Sequence, residues 1–175
     1  LESSSAASDV YKRQTLFNEG QVIIPYARNV SDIINDIDDY KVELLPTTPT
    51  FLRMLIMDGQ INLNRLKSLK IITYGSEMMD ENTLLRLNKL LPNVKFKQTY
   101  GMSEISILRV KSESNRSLWI KIDSDELKTK IIKKTLYIKP KIKMFGYLNH
   151  KSPFDKNGWY NTCLLYTSPS PRDTR

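Results

Sequence analysis

Four short apolar runs, spaced by stretches of helical period, constrain this chain more than any other feature. The runs are Gln21–Val22–Ile23–Ile24–Pro25, Val42–Glu43–Leu44–Leu45–Pro46, Lys70–Ile71–Ile72–Thr73–Tyr74–Gly75 and residues 94–99. Each has the length of a buried strand. Between them lie amphipathic stretches. Ser31 is expected to cap a helix with Ile33, Ile34, Ile37 and Tyr40 on its apolar face and Asp32 in its first turn. Pro49 marks the start of a second helix, which carries Phe51, Leu52, Leu55 and Ile56 and stops at Gly59. Residues 63–69 read as a short connecting helix or turn. Asp80 caps a third helix, with Leu84, Leu87 and Leu91 on one side, Leu85 nearby and Pro92 at its end. Upstream, residues 15–20 read as a helix end with Gly20 as the stop. Strands alternating with helices of this length predict right-handed βαβ units, and so an α/β fold with a parallel sheet. Ligands bind such sheets at the C-terminal ends of the strands. That rule singles out residues 74–77 and 100–104.

After Glu104 the period changes from helical to two. Residues 105–110, 117–122 and 127–140 alternate, as in Leu118/Ile120/Ile122 and Leu136/Ile138, and predict antiparallel strands. The expected division is an α/β portion over residues 15–105 and a β-rich subdomain over residues 106–162. Lys128, Lys130, Lys133, Lys134, Lys139, Lys141 and Lys143 crowd the second half. Such a cluster suits a nucleic-acid or phosphate patch, or else the solvated face of strands whose lysines discourage edge pairing. No RNA-binding motif or aromatic platform accompanies the charge, which favours the second reading.

The two ends differ from the interior. Residues 4–14, SSAASDVYKRQ, and residues 163–173, CLLYTSPSPRD, resemble the read-through translation of paired sequencing adaptors. Both are rich in Ser, Ala, Pro and Arg, whereas the interior is rich in Ile, Lys, Asn and Leu. Residues 1–14 and 163–175 are therefore treated as non-native flanks and left out of fold reasoning. The interior is then expected to be a fragment of a longer protein. Dropping the flanks removes four basic and three acidic residues, one unit from the +8 of the whole chain. It also removes Cys163, the only cysteine, so disulfides, Cys/His zinc sites and thiol nucleophiles are excluded from the interior. No apolar run is long enough to span a membrane, and a cytoplasmic origin is the default.

The chemistry concentrates in Gln98–Thr99–Tyr100–Gly101–Met102–Ser103–Glu104. An aromatic face can stack on a purine. A Gly lets backbone approach closely. A hydroxyl can bond a phosphate, and a carboxylate can hold Mg²⁺ beside phosphate oxygens. Read alone, the heptapeptide also fits a strand ending in a Gly turn with a solvated Glu after it. Its neighbours decide between the two.

Taken together, four segments resemble the motifs of the adenylate-forming (AMP-binding) superfamily. Residues 69–77, ending Tyr74–Gly75–Ser76–Glu77, resemble its adenine loop. Residues 98–104 resemble its YGxTE motif. Thr135–Leu136–Tyr137–Ile138–Lys139 followed by Gly146–Tyr147–Leu148–Asn149 resembles its GEL…GY segment. Gly158–Trp159–Tyr160–Asn161–Thr162 resembles the opening of GWxxTGD. The departures are specific. Ser103 replaces the commoner Thr, Tyr74 stands where Gly is frequent, and Lys134–Thr135 replaces Gly–Glu. The ribose-binding Asp would follow Thr162, the phosphate loop would precede Thr15, and the catalytic Lys would lie downstream.

The resemblance implies an incomplete N-terminal domain of a carboxylate-activating enzyme. It would form an acyl-adenylate from a carboxylic acid and ATP, then a thioester with CoA or carrier-protein phosphopantetheine. The expected substrate class is acyl, as in fatty acid metabolism, with an acyl-CoA or acyl carrier protein as product. Nucleotide contacts would come from Tyr74, Gly75, Ser76, Glu77, Gln98, Thr99, Tyr100, Gly101, Met102 and Ser103. Tyr100 would stack on adenine, Ser103 would touch phosphate, and Glu104 would hold Mg²⁺. Gly101 and Met102 would also border the acyl pocket. Ser103 and Glu104 are the implied catalytic pair. No nucleic-acid partner and no membrane span are expected. An amino-acid adenylation domain of a nonribosomal peptide synthetase, a catalytically silent homologue and a basic nucleic-acid-binding module remain as alternatives.

Overall fold

The computed structural model describes residues 6–58, 62–102, 104–123 and 125–165, with side chains from residue 12 to residue 163. They fall into two compact units: Leu1–Met102 with Ile107–Asp123, and Ser103–Ser106 with Ser124–Arg175.

The first unit is built on a parallel sheet of β1 (Leu44–Thr47), β2 (Ile71–Tyr74) and β3 (Lys95–Gln98), in that spatial order. The register runs Leu44–Ile71–Lys95 to Thr47–Tyr74–Gln98. Helices α2 (Val30–Asp39), α3 (Pro49–Met57) and α4 (Glu81–Leu90) alternate with the strands, as the sequence predicts. A 3₁₀ turn at Leu63–Leu66 makes the short connection. Alternate strand residues reach one face. There Ile72, Tyr74 and Phe96 join Ile34, Ile37, Leu52, Leu55, Leu84 and Leu87 in one buried cluster. Each helix starts on a side-chain cap. Thr48 accepts from Phe51 N, Asp80 from Thr83 N, and Asn29 from Asp32 N.

That last cap corrects one expectation. Asn29, two residues before Ser31, is the N-cap, and its amide also donates to Asp32 Oδ2 at 2.8 Å. The reciprocal pair satisfies both ends of the turn, which Ser31 cannot do. Tyr40, expected on the apolar face, is exposed beyond the last turn. Residues 21–25 are a second correction: they form no strand and pair with none among the described residues. Apolar composition does not make a strand when no ladder partner accepts its backbone groups.

Helix α1 (Ala6–Phe17) starts inside the flank and ends at residue 17. Gly20 N donates to Thr15 O and Glu19 N to Leu16 O, a Schellman closure. The left-handed position belongs to Glu19 (φ 59), not to Gly20. Gly20 serves close approach instead, since a Cβ there would lie 2.8 Å from Thr15 Cγ2. The stop expected at Gly59 lies outside the described residues.

Residues 107–123 belong to the first unit, and Asn115 supplies the reason. Its side chain accepts from Phe96 N at 2.6 Å and donates to Val94 O at 3.0 Å, closing the outer edge of β3. It also donates to Asn88 Oδ1 at 2.6 Å, while Asn88 Nδ2 donates to Asn115 O at 2.9 Å. An unpaired strand edge is thereby covered by one amide side chain. The hairpin of β6 (Val110–Ser112) and β7 (Ile120–Ile122) is carried with it, and Leu118 packs on the core.

The second unit is an antiparallel sheet of β8 (Leu127–Ile132), β9 (Thr135–Pro140) and β10 (Tyr160–Leu165), with β9 central. Among its described residues, Ile138, Phe154 and Ile105 are the buried apolar ones. Across the sheet, Lys130 Nζ sits 4.1 Å from the Trp159 ring centre and 5.6 Å from that of Tyr137. Lys143 covers Phe154 at 4.9 Å. So aromatic rings do accompany the lysines, but lysines of the same unit already cover them.

Candidate functional site

The site residues expected from sequence lie where β2 and β3 end. Tyr74 and Gln98 are register partners there. Tyr74 is 2% exposed, and its ring belongs to the core cluster. Burial pushes its hydroxyl up to about 12. Beside it, Gln98 Oε1 is buried without a hydrogen-bond partner. Such an orphaned acceptor costs stability unless a donor reaches it.

The two loops that follow are in direct contact. Thr99 N donates to Tyr74 O at 2.8 Å, and Thr99 Oγ1 to the same oxygen at 3.2 Å. Gly75 has to be glycine. A Cβ there would collide with Thr99 Oγ1 and sit 2.9 Å from Thr99 O. Ser76 follows at φ 67, a left-handed conformation that costs a non-glycine residue about 1 kcal/mol.

Glu77 turns away from this junction toward α3. Its Oε2 accepts from Thr50 N at 3.0 Å and from the Thr50 hydroxyl, and Arg53 lies 3.7 Å away. The Thr50 hydroxyl, the largest cause, holds the Glu77 carboxyl below its usual range, with the Arg53 charge adding to it.

Beyond the junction, Tyr100 opens β4 (Tyr100–Met102), which pairs with β5 (Ser106–Leu108). Tyr100 and Met102 are half-buried and Gly101 is exposed. Ser103 lies outside the described residues. Glu104 belongs to the second unit. There its Oε1 accepts from the Tyr147 hydroxyl, and its backbone oxygen accepts from Met144 N at 3.3 Å. Donating to the Glu104 carboxylate pushes the Tyr147 hydroxyl up to about 12.

The fold therefore brings together Tyr74, Gly75, Ser76, Gln98, Thr99 and Tyr100 at one strand-end junction. It gives Glu77 to α3 and Glu104 to the second unit. Sequence reasoning missed Thr50 and Arg53. Thr50 lies in a Thr-Thr-Pro-Thr run that reads as a turn and helix start, and nothing local points to its partner 27 residues away. The sequence gives Tyr147 a place in a motif but no role. Among the described residues, no group of three or more His, Cys, Asp or Glu gathers, and no helix is long and apolar enough to cross a membrane.

Open α/β sheets of this kind bind ligands at the C-terminal ends of their strands, where this junction lies. Comparison with known proteins narrows the class. The family model for AMP-binding enzyme matches residues 14–128, and the chain belongs to that family. No curated protein sequence matches the chain. Among solved structures, it is similar to the luciferase-like enzyme of the nonluminescent mealworm Zophobas morio. The TM-score is 0.73 at 21% identity, over 90% of this chain and 42% of that one. It is similar to o-succinylbenzoate CoA synthetase of Bacillus subtilis, solved with a product analogue. There the TM-score is 0.70 at 17% identity, over 91% and 36% of the two chains. MatB of Rhodopseudomonas palustris gives 0.71 at 16% identity, over 90% and 34%. At these identities the likeness is one of fold. The chain spans about two-fifths or less of the length of each.

Proposed function

We propose that this chain carries the adenine-binding part of an ATP-dependent acid-activating enzyme, which forms an acyl-adenylate and then a thioester. The observation that carries the reading is the orphaned Gln98 Oε1 at the strand-end junction. Adenine offers an exocyclic amine there, whereas guanine offers a carbonyl oxygen that would leave the acceptor unpaired and opposed. Recognition through a buried acceptor discriminates strongly, because the wrong base leaves the desolvation cost unrepaid. Tyr100 supplies the ring for stacking, and Gly75 the close backbone approach. Ser76 borders the base, and Thr99 fixes the junction. Met102 and Gly101 lead toward the acyl side, and Ser103 is assigned to phosphate.

Magnesium fits the donor set as phosphate-bound Mg²⁺ usually does, through one carboxylate and substrate oxygens rather than a protein cage. Glu104 is the residue that would hold it, with the Tyr147 hydroxyl fixing the carboxylate from one side. The ion would supply positive charge where phosphate charge develops. CoA or a carrier-protein phosphopantetheine is the proposed thiol acceptor. The B. subtilis relative is solved with an acyl-adenylate intermediate, which accords with the proposed first step.

Binding tests the reading directly. Calorimetry on the chain should show ATP bound more tightly than GTP, with the preference reduced by Gln98→Leu. Equal affinities for the two nucleotides sink the base-recognition reading. In an enzyme of full family length carrying these residues, Glu104→Gln should lower kcat for ATP–pyrophosphate exchange by about 10²-fold with an unchanged melting temperature. Exchange at the parental rate would remove the metal role from Glu104.

A further inference from the structure

We propose that Arg53 and Thr50 are positioning residues for the base-binding loop, latching residues 75–80 to the first turn of α3 through Glu77. The inference rests on the nucleotide reading above and assigns a device to it. Its starting point is the helix end. Pro49 has no N–H, and Thr48 satisfies Phe51 N. Thr50 N is left, and it takes its acceptor from a residue 27 positions away, Glu77 Oε2 at 3.0 Å. The negative carboxylate sits at the positive end of the helix.

Arg53, one turn along, completes the latch. Its guanidinium donates to Thr50 Oγ1 at 3.3 Å, Met78 O at 3.4 Å and Asp80 Oδ2 at 3.4 Å, with Glu77 Oε2 at 3.7 Å. One planar cation thus ties three points of the loop, Glu77, Met78 and Asp80, to α3. Asp80 in turn caps α4, so the loop is held at both sides of its span.

The latch matters because the loop is strained and contacts the base-reading residues. Ser76 keeps φ 67 only while its surroundings hold it there. Gly75 lies against Thr99, whose next residue is Tyr100, and Tyr74 is the register partner of Gln98. Loosening the loop therefore shifts the stacking ring and the amide acceptor relative to each other. Glu77 acts here as a strut between loop and helix, with its carboxylate engaged on α3 rather than on ligand.

The test uses the 175-residue chain with Arg53→Gln, Glu77→Gln and Arg53→Lys. Two readouts are taken on each. Amide hydrogen exchange of Thr50 and of the loop peptide reads the latch, and calorimetric affinities for ATP and GTP read its consequence. Arg53→Gln and Glu77→Gln should each speed exchange about 3- to 10-fold, the equivalent of one hydrogen bond. They should lower the ATP-over-GTP preference by a similar factor, with Arg53→Lys restoring part of both. Unchanged exchange overturns the latch. Faster exchange with an unchanged nucleotide preference overturns its part in base reading and leaves a stabilising contact only. A parental chain that does not prefer ATP sinks the nucleotide reading itself, and with it this role, even where exchange responds to the variants.

Discussion

The two units of this chain are held together by different physics. In the first, loops emerge from a parallel sheet whose core face is sealed by three helices. The buried cluster includes Leu52 and Ile72, both fully excluded from solvent. In the second, few of the described apolar residues are buried, and position is set by cross-strand pairing and by lysines lying over rings. The family model follows the same line. Its match, residues 14–128, covers the first unit from residue 14 onward and ends as the antiparallel sheet begins. A packed core dictates side-chain identity at many positions at once, whereas a hairpin needs only alternation and a turn. Family likeness is therefore written more densely in the first unit.

The largest predicted effect breaks or supports that contrast. The chain has two tryptophans. Trp119 falls in the first unit and Trp159 in the second. Leu52→Ala opens a cavity in the sealed core and should cost about 3 kcal/mol. In single-tryptophan versions, the urea transition seen by Trp119 should move and that seen by Trp159 should stay. Ile138→Ala should do the reverse, since Ile138 is the fully buried residue of the second sheet. One shared transition that both variants shift equally would show a single cooperative body and end the comparison.

A smaller effect sharpens the boundary between the units. Asn115→Ala removes the side chain that closes β3, leaving Phe96 N, Val94 O and the Asn88 amide short of partners. Unsatisfied groups of this kind cost about 1–3 kcal/mol, and about 2 kcal/mol is expected. The loss should register at Trp119, because the segment Ile107–Asp123 would come away from the sheet. A loss read by Trp159 alone would place that segment with the second unit.

How much of this was legible in the chain follows from what each feature depends on. Helices α2, α3 and α4 and strands β1, β2 and β3 were readable from local period and caps, because burial of one face dictates the period. The strand-end junction was readable from Gly75 and the run from Gln98 to Met102. Three features depended on residues distant in sequence and left no local signal. Asn115 reaches β3 from 19 residues away, and Glu77 reaches Thr50 from 27 away. Tyr147 reaches Glu104 across 43 residues. The segment 21–25 failed for the opposite reason, since its composition suits a strand but nothing pairs with it. The lysine cluster was visible as charge, while its stacking on Trp159, Tyr137 and Phe154 was not.

The smallest predicted effect concerns how the second unit turns its chain. Strands β8 and β9 are joined by Lys133 and Lys134, with Ile132 the register partner of Thr135. Both lysines have positive φ, 49 and 62. A two-residue hairpin loop of this kind asks for Asn-Gly, because only such residues take the left-handed conformation without strain. Two long cationic side chains are held there instead, and their charges add repulsion at the tip. The family-like motif places Gly at the Lys134 position, which the left-handed backbone explains. Lys133→Asn with Lys134→Gly should therefore stabilise the second unit by about 1 kcal/mol. The Trp159 transition should move to higher urea, and the Trp119 transition should not. Because few of the described residues of this sheet are buried, a turn change should act on it more than on the helix-sealed unit. A double variant that leaves the Trp159 midpoint in place would mean that the turn is not what limits this sheet, and that its few buried residues are.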